Sequence, residues 1–233
     1  MQKSKNQIES ALYLVTTPIG NLEDFTPRAI KVLSEVDIIA CEDTRNSGNL
    51  LKLMNINYKK LVSYHDYNEN EQSLYLIEQI KNGLSVALIS DAGMPSISDP
   101  GFRLVQIAVN EGIRVIPIPG ASAFSLALIG SGFPVHKFAF FGFPPHKKGR
   151  KTFIEETSLF NGTIILYEAQ TRVEKLLNQI KERFGDEIEI CIARELTKLH
   201  EEFLRGTPDE LNKEIQKRGG LKGEIVVLIN NNK

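Results

Sequence analysis

The chain has 233 residues, 42% hydrophobic and 24% charged, which predicts a packed globular protein with room for two domains of roughly 110–120 residues each. Lys and Arg (28) balance Asp and Glu (29), for a formal net charge of −1, so no global field marks a nucleic-acid binder and any such contact must use local patches. Cys41 and Cys191, the two cysteines, are far apart and lie in apolar runs, which excludes a cysteine-based metal site and predicts buried free thiols in a reducing cytoplasm.

The start of the chain is polar and then strand-like, with no basic stretch followed by an apolar one, so no leader peptide is expected. No apolar run reaches the ~18 residues of a membrane span. Strands are predicted at Leu12–Thr16, Asp37–Cys41, Lys60–Ser63, Val86–Ser90 and Arg114–Pro117, each short and apolar as buried parallel strands are. Thr26 is a helix N-cap with Pro27 at the first helical position, and Ala29, Val32, Leu33 and Val36 follow at helical spacing. A second helix is expected from Thr44. A third, Glu71–Lys81, places Leu74, Ile77 and Ile80 on one face and ends at Gly83. Pro100 is expected to open a fourth, with Leu104, Ile107 and Ala108 facing inward. Such alternation argues for a mostly parallel sheet covered on both faces, with right-handed crossovers.

The run Ile116–Gly120 contains two prolines and a glycine and punctuates the chain. It sets an expected boundary between an N-terminal α/β domain, residues 1–118, and a C-terminal α/β domain, residues 119–233. A helix of small residues, Ala121–Ile129, is predicted next, broken by Gly130, Gly132 and Pro134. Then come an aromatic strand, Phe138–Phe143, and a basic loop, His146–Lys151. Further strands are expected at Thr163–Tyr167, Glu189–Ala193, Glu202–Arg205 and Glu224–Ile229, with helices at Arg172–Phe184 and Pro208–Lys217. The period of two is clearer in this half, which predicts a mixed sheet with antiparallel pairs. The tail Asn230–Lys233 is expected to fray.

Three loops directly follow predicted strands, where open α/β sheets collect ligands. Thr16–Asn21 follows the first and can equally be a simple strand-to-helix turn. Ser90–Gly101 follows the fourth. It combines glycines, prolines, aspartates and serines, and so exposes backbone donors and acceptors with little side-chain obstruction. Pro119–Ala123 lies at the domain junction, where small residues either admit a ligand to free helix N–H groups or serve close packing. No dinucleotide glycine fingerprint, phosphate-binding P-loop, G-x-S-x-G elbow or H-E-x-x-H pair is present. Hydride transfer, P-loop chemistry and those hydrolase classes therefore lose ground.

The segments Thr17–Asn21, Asp91–Gly101 and Pro119–Ala123, in this order and spacing, resemble the tetrapyrrole methylase superfamily. Ala40–Arg45, Ser63–Asp66, Phe141–Pro145 with the basic loop, Leu166–Ala169, Ala193–Lys198 and Lys222–Glu224 resemble one branch of it, which methylates the ribose 2′-oxygen of a cytidine in 16S ribosomal RNA. The resemblance runs from about Leu12 to Ile229. It implies a cytoplasmic homodimer that acts on 16S rRNA within the small ribosomal subunit, with S-adenosylmethionine folded into a cleft between the two domains and no metal. Carried over by motif, it implies cofactor contacts from Pro18, from Ser90, Asp91, Ala92, Gly93, Met94, Ser96 and Ile97, from Ala121 and Ser122, and from Tyr167 and Ala169. The chain departs from the branch at Thr16, where glycine is frequent, and at Gln170-Thr171-Arg172, where Pro-His-Arg is frequent. It also ends soon after the last expected strand, so RNA contacts made by a C-terminal extension in some relatives are not expected.

A sulfonium methyl group is already activated, so alignment with the accepting oxygen and exclusion of water are the main requirements. A ribose hydroxyl is weakly acidic, and a nearby base or cation helps. Glu42, Asp43 and Arg45 follow the second strand and are the candidates for catalysis. An N-cap and a surface ion pair are the alternative for them. Asn21, His65, Lys147, Lys148, Arg150 and Arg172 are candidates for substrate binding, the basic loop through RNA phosphates. Two other readings stay open on the sequence. One is methylation of a tetrapyrrole or other small molecule on the same fold; the other is a ribosome-assembly or RNA-binding role without catalysis.

Overall fold

The computed structural model describes residues 8–232, so the polar residues 1–7 and Lys233 lie outside the described residues. The chain divides into two compact units, one ending at Ala121 and one beginning at Ser122. The first contains β1 (Leu12–Val15), α1 (Pro27–Glu35), β2 (Ile38–Cys41), α2 (Thr44–Leu53), β3 (Leu61–Ser63), α3 (Glu69–Lys81), β4 (Val86–Ile89), α4 (Phe102–Asn110) and β5 (Val115–Ile118). The strands form one sheet in the order β3-β2-β4-β1-β5, and every pair is parallel.

Both faces of this sheet are covered. Tyr13, Val15, Ile39 and Cys41 pack on one side with Ala29, Val32 and Leu33 of α1 and Leu51 of α2. Leu12, Ile38, Ala40 and Leu88 pack on the other with Leu76, Ile77 and Ile80 of α3 and Leu104 and Ala108 of α4. Adjacent strands β1 and β4 thus send their chains to opposite faces, a topological switch point of the kind at whose carboxyl ends open α/β sheets bind ligands.

Thr26 caps α1 as the sequence predicts, its Oγ1 accepting from the Ala29 N–H at 3.2 Å. Two expectations need correction. Leu74 is 64% exposed, because the inward stripe of α3 is Ser73, Leu76, Ile77 and Ile80; buried Ser73 shares a 3.0 Å hydrogen bond with the Tyr64 hydroxyl. Pro100 does not open α4. The helix starts at Phe102, after Gly101 at φ +142°, a conformation that takes the chain out of helical geometry.

The second unit contains α5 (Ala123–Ser131), β6 (Phe138–Phe140), α6 (Arg150–Thr157), β7 (Gly162–Ala169), α7 (Val173–Phe184), β8 (Ile190–Arg194), β9 (Glu202–Gly206), α8 (Pro208–Lys217) and β10 (Glu224–Asn231). Its sheet runs β6-β7-β10-β8-β9, with β6 parallel to β7 and the other pairs antiparallel, the mixed sheet expected. Ile154, Leu176, Leu177, Ile180, Leu211 and Ile215 from α6, α7 and α8 cover one face, and α5 packs on the other. Ala169 pairs with Glu224 and Arg194 with both Ile225 and Glu202. The carboxyl ends of β7 and β8 therefore share one end of the sheet with the amino ends of β9 and β10.

Here too the structure departs from expectation. The aromatic strand stops at Phe140, and Gly142 at φ +69° turns the chain. Gly130 lies inside α5, where a Cβ would collide with the ring of Phe203 on β9; Gly132, at φ +82°, is the residue that ends the helix. Part of the basic loop is helical, since α6 begins at Arg150. The tail is ordered through Asn231, whose Nδ2 donates to the carbonyls of Ser158 and Phe160 at 3.1 and 2.6 Å.

Candidate active site

The loops after β1, β4 and β5 meet because those strands are neighbours in the first sheet. Thr17 and Gly93 exchange backbone hydrogen bonds at 2.9 and 3.2 Å. Thr17 Oγ1 donates to the Ser90 carbonyl at 3.2 Å, and Ser90 Oγ donates to that of Gly93 at 3.2 Å. Thr16 Oγ1 donates to the Ile118 carbonyl at 2.8 Å. Small residues make this approach possible. A Cβ on Gly93 would stand 3.1 Å from Ile19 Cγ2 and 3.7 Å from the Ala121 carbonyl, and one on Gly120 would stand 2.8 Å from Thr16 Cβ. Pro18, Gly93 and Pro95 are buried, Met94 and Ser96 half-buried, and Asp91, Ala92 and Ile97 exposed.

The loop Ser90–Gly101 is strained. Ser96 and Ser98 have φ of +70° and +63°, which costs of order 1–3 kcal/mol per residue outside glycine. Ser96 Oγ is buried and has no hydrogen-bond partner among the described residues, an arrangement that favours a ligand supplying one.

Carboxylates gather at the same carboxyl ends. Burial pushes Asp99 up to about 6, with the charges of Glu42, Asp91 and Asp66 adding to the effect. Burial also raises Glu42, again with Asp91 and Asp66. Asp91 is tied to α2 by Asn46 Nδ2 at 3.0 Å. Asp99 was not singled out from the sequence; its signal was a carboxylate inside the loop Ser90–Gly101, rich in glycine and proline. Among the described residues no cluster of metal-ligating side chains occurs. The set fits S-adenosylmethionine, because carboxylates complement its sulfonium and ammonium charges while the buried, unbonded Ser96 hydroxyl offers a polar contact.

Glu42 belongs to this carboxylate group, whereas Asp43 and Arg45 have structural partners. Asp43 Oδ1 caps α2 through the Arg45 N–H at 2.8 Å, and the exposed Arg45 side chain pairs with Asp43 Oδ2 at 3.0 Å, which holds the Asp43 carboxyl down at about 2. Asn21 caps a short 3-10 turn, accepting from the Glu23 N–H at 3.0 Å. His65 follows β3, its ring edge-on to Tyr67 and its Nδ1 buried without a partner among the described residues.

In the second unit, Ser122 caps α5 without a side-chain bond. Tyr167 packs edge-on to Phe140, ring centroids 4.8 Å apart, and against Phe143 at 5.3 Å. Lys147 and Lys148 are exposed. Arg150 is not, and its expected place in the exposed basic run is corrected. It is 2% exposed and its Nη2 binds buried Glu168 Oε2 at 2.5 Å, because α6 turns it back onto β7. Arg172 Nε binds Glu168 Oε1 at 2.8 Å. Glu168 was not singled out from the sequence, although it sits between the expected contacts Tyr167 and Ala169.

A family model described as "Tetrapyrrole (Corrin/Porphyrin) Methylases" matches residues 11–212. The chain is 47% identical over 218 residues to "Ribosomal RNA small subunit methyltransferase I" of Hydrogenobaculum sp. (strain Y04AAS1), covering 94% of each chain. It is 48% identical over 225 residues to the protein of that name from Halalkalibacterium halodurans, covering 96% of this chain and 77% of the relative. The crystal structure of uroporphyrin-III-C-methyltransferase from Thermus thermophilus superposes with a TM-score of 0.64 at 20% identity, covering 94% of each chain, which shows the shared fold. The chain belongs to the tetrapyrrole methylase family, in the branch of the ribosomal RNA small subunit methyltransferase I proteins.

Proposed function

We propose that this protein methylates the ribose 2′-oxygen of a cytidine in 16S rRNA within the small ribosomal subunit, with S-adenosylmethionine as the methyl donor. The observation that carries this reading is the 47–48% identity, over 94–96% of the chain, to relatives named for methyl transfer to small-subunit rRNA. The stitched cradle of Thr17, Ser90 and Gly93 supports it with a ligand site where the fold's ligands collect. Residues 1–118 are read as the domain that holds most of the cofactor and 119–233 as the domain that presents RNA-binding side chains. The protein is read as a homodimer, on the resemblance to its superfamily. Its buried free thiols, Cys41 and Cys191, suit the reducing cytoplasm.

S-adenosylmethionine, when bound, supplies a methyl group already activated by its sulfonium. The backbone of Ser90–Ile97, with Pro18 and Ala121, orients it. Asp99 and Glu42, both raised toward neutrality, accept the proton that leaves the ribose hydroxyl. Asp43 and Arg45 fix the start of α2, and with it Glu42 and Asn46. Asn21, His65, Lys147, Lys148 and Arg172 bind the RNA.

The test is incubation with labelled S-adenosylmethionine and small subunits lacking the modification. Label on the 2′-oxygen of one cytidine is expected. An unlabelled ribose would overturn the reading, and label on a corrin precursor instead would move the substrate to tetrapyrroles.

A further inference from the structure

We infer that buried Glu168 is a positioning residue that aims the Arg172 guanidinium as a fixed fork for a phosphate of the substrate RNA. This deepens the proposed function and rests on it.

Glu168 is fully buried, between Arg150 at 2% and Arg172 at 23% side-chain exposure. One carboxylate faces two guanidinium groups, so the cluster keeps one positive charge in excess. The hydrogen bonds show where that charge is available. Arg150 is engaged at all three nitrogens: its Nη2 goes to Glu168, its Nε to Gln179 Oε1 at 2.8 Å, and its Nη1 to the carbonyls of Pro144 and Pro145 at 3.4 and 3.3 Å. Arg172 uses only Nε, at 2.8 Å to Glu168 Oε1, and its Nη1 and Nη2 have no partner among the described residues. Glu168 is held in turn by the Ala169 N–H at 2.8 Å. A guanidinium gripped by one edge presents the other nitrogens in the planar geometry that matches phosphate. A buried ion cluster is weak evidence for stability, which leaves orientation as the stronger physical reason for this one.

The surroundings separate free cations from paired ones. At the same end of the sheet, Arg194 and Arg218 pair with Glu202, and Lys198 pairs with Glu195 and Glu224. Exposed Lys222 has no ion pair among the described residues, and the next N–H, that of Gly223, donates to Gln170 Oε1 at 2.7 Å, two residues from Arg172. Arg150 also carries the loop of Lys147 and Lys148, since its own N–H donates to the Lys147 carbonyl at 3.4 Å. Rigid Arg172 and the flexible lysines then face a phosphodiester backbone together.

The test measures binding of unmodified small subunits across a salt series, with methyl-transfer kinetics, for the wild type, Arg172→Ala, Arg172→Lys and Glu168→Gln. Arg172→Ala should weaken binding about tenfold and lower the salt-dependence slope by about one. Arg172→Lys should restore the slope but only part of the affinity. Glu168→Gln should keep the slope while KM for the subunit rises and kcat stays constant, a split that a merely structural role would not give. Should Glu168→Gln fail to fold, the half-buried Arg172 pair decides alone. Wild-type affinity and slope in Arg172→Ala would overturn the inference. A wild type that neither binds nor methylates the subunit overturns the proposed function, and with it this inference.

Discussion

Thr17 and Gly93 face each other as a two-residue antiparallel bridge, N–H to carbonyl in both directions, between loops that leave parallel strands. The bridge fixes the loop after β4 against the loop after β1. Its glycine is required twice over, by φ of +81° and by Ile19 at 3.1 Å from a would-be Cβ. Gly93→Ala should therefore distort the cradle rather than the sheet. We expect affinity for S-adenosylmethionine to fall at least about tenfold by calorimetry, with a stability loss of only about 1–2 kcal/mol. Unchanged affinity would remove the bridge from the cofactor site.

Asp99 sets a pH dependence. Burial raises its carboxyl to about 6 from an ordinary value of 3.8. For an acid raised in the folded state, the unfolded chain releases its proton first. Its contribution to stability is thus fully present below the unfolded value and is lost as pH rises through about 6. Asp99→Asn should match the wild type near pH 3.5 and exceed it near pH 8 by on the order of 1–2 kcal/mol, after allowance for partial exposure. In the proposed role, the same variant should lose the rise of kcat/KM around pH 6. Parallel pH–stability curves for the two proteins would contradict this account.

The Glu168 cluster predicts opposite outcomes for breaking and for replacing an ion pair. Glu168→Ala leaves Arg150 buried without its carboxylate and should cost about 3–5 kcal/mol in urea unfolding. Arg150→Met combined with Glu168→Leu should cost much less, because the one guanidinium left without its carboxylate, that of Arg172, reaches solvent. Equal losses would show that the remaining bonds to Gln179, Pro144 and Pro145 dominate.

Gly130 is a helix residue where alanine should hurt. Intrinsic propensity favours alanine by about 1 kcal/mol, but a Cβ would collide with Phe203 and overpacking costs about 1–3 kcal/mol. Gly130→Ala should destabilise on balance, and Phe203→Leu added to it should restore part of the loss. A more stable Gly130→Ala would show that β9 yields.

Elements governed by local rules were legible in the sequence. Thr26-Pro27 marks the start of α1, and the short apolar runs mark every strand of the first sheet, because capping and burial on both faces leave direct signatures. What failed depended on distant partners. Leu74 belongs to the right periodicity but loses its place to Ser73, which Tyr64 recruits by hydrogen bonding. Gly130 reads as a breaker until Phe203 is known to lie over it. Arg150 stands in a run of cations and only tertiary structure delivers it to Glu168, 18 positions away in sequence. In the candidate site, the loop Ser90–Gly101 stood out by composition. Asp99 did not, because its burial depends on tertiary structure and two of its acidic neighbours, Glu42 and Asp66, follow other strands.

The strand order has a consequence for how the protein is made. β1 pairs with β4 and β5, Leu12 lying beside both Val86 and Val115, and not with β2, its successor in the chain. Synthesised before either, it must wait unpaired until both partners have left the ribosome. Non-local parallel pairing of this kind folds slowly. The Thr17–Gly93 bridge closes only after β1 inserts, so during synthesis the methyl-donor cradle is among the last parts of its unit to form.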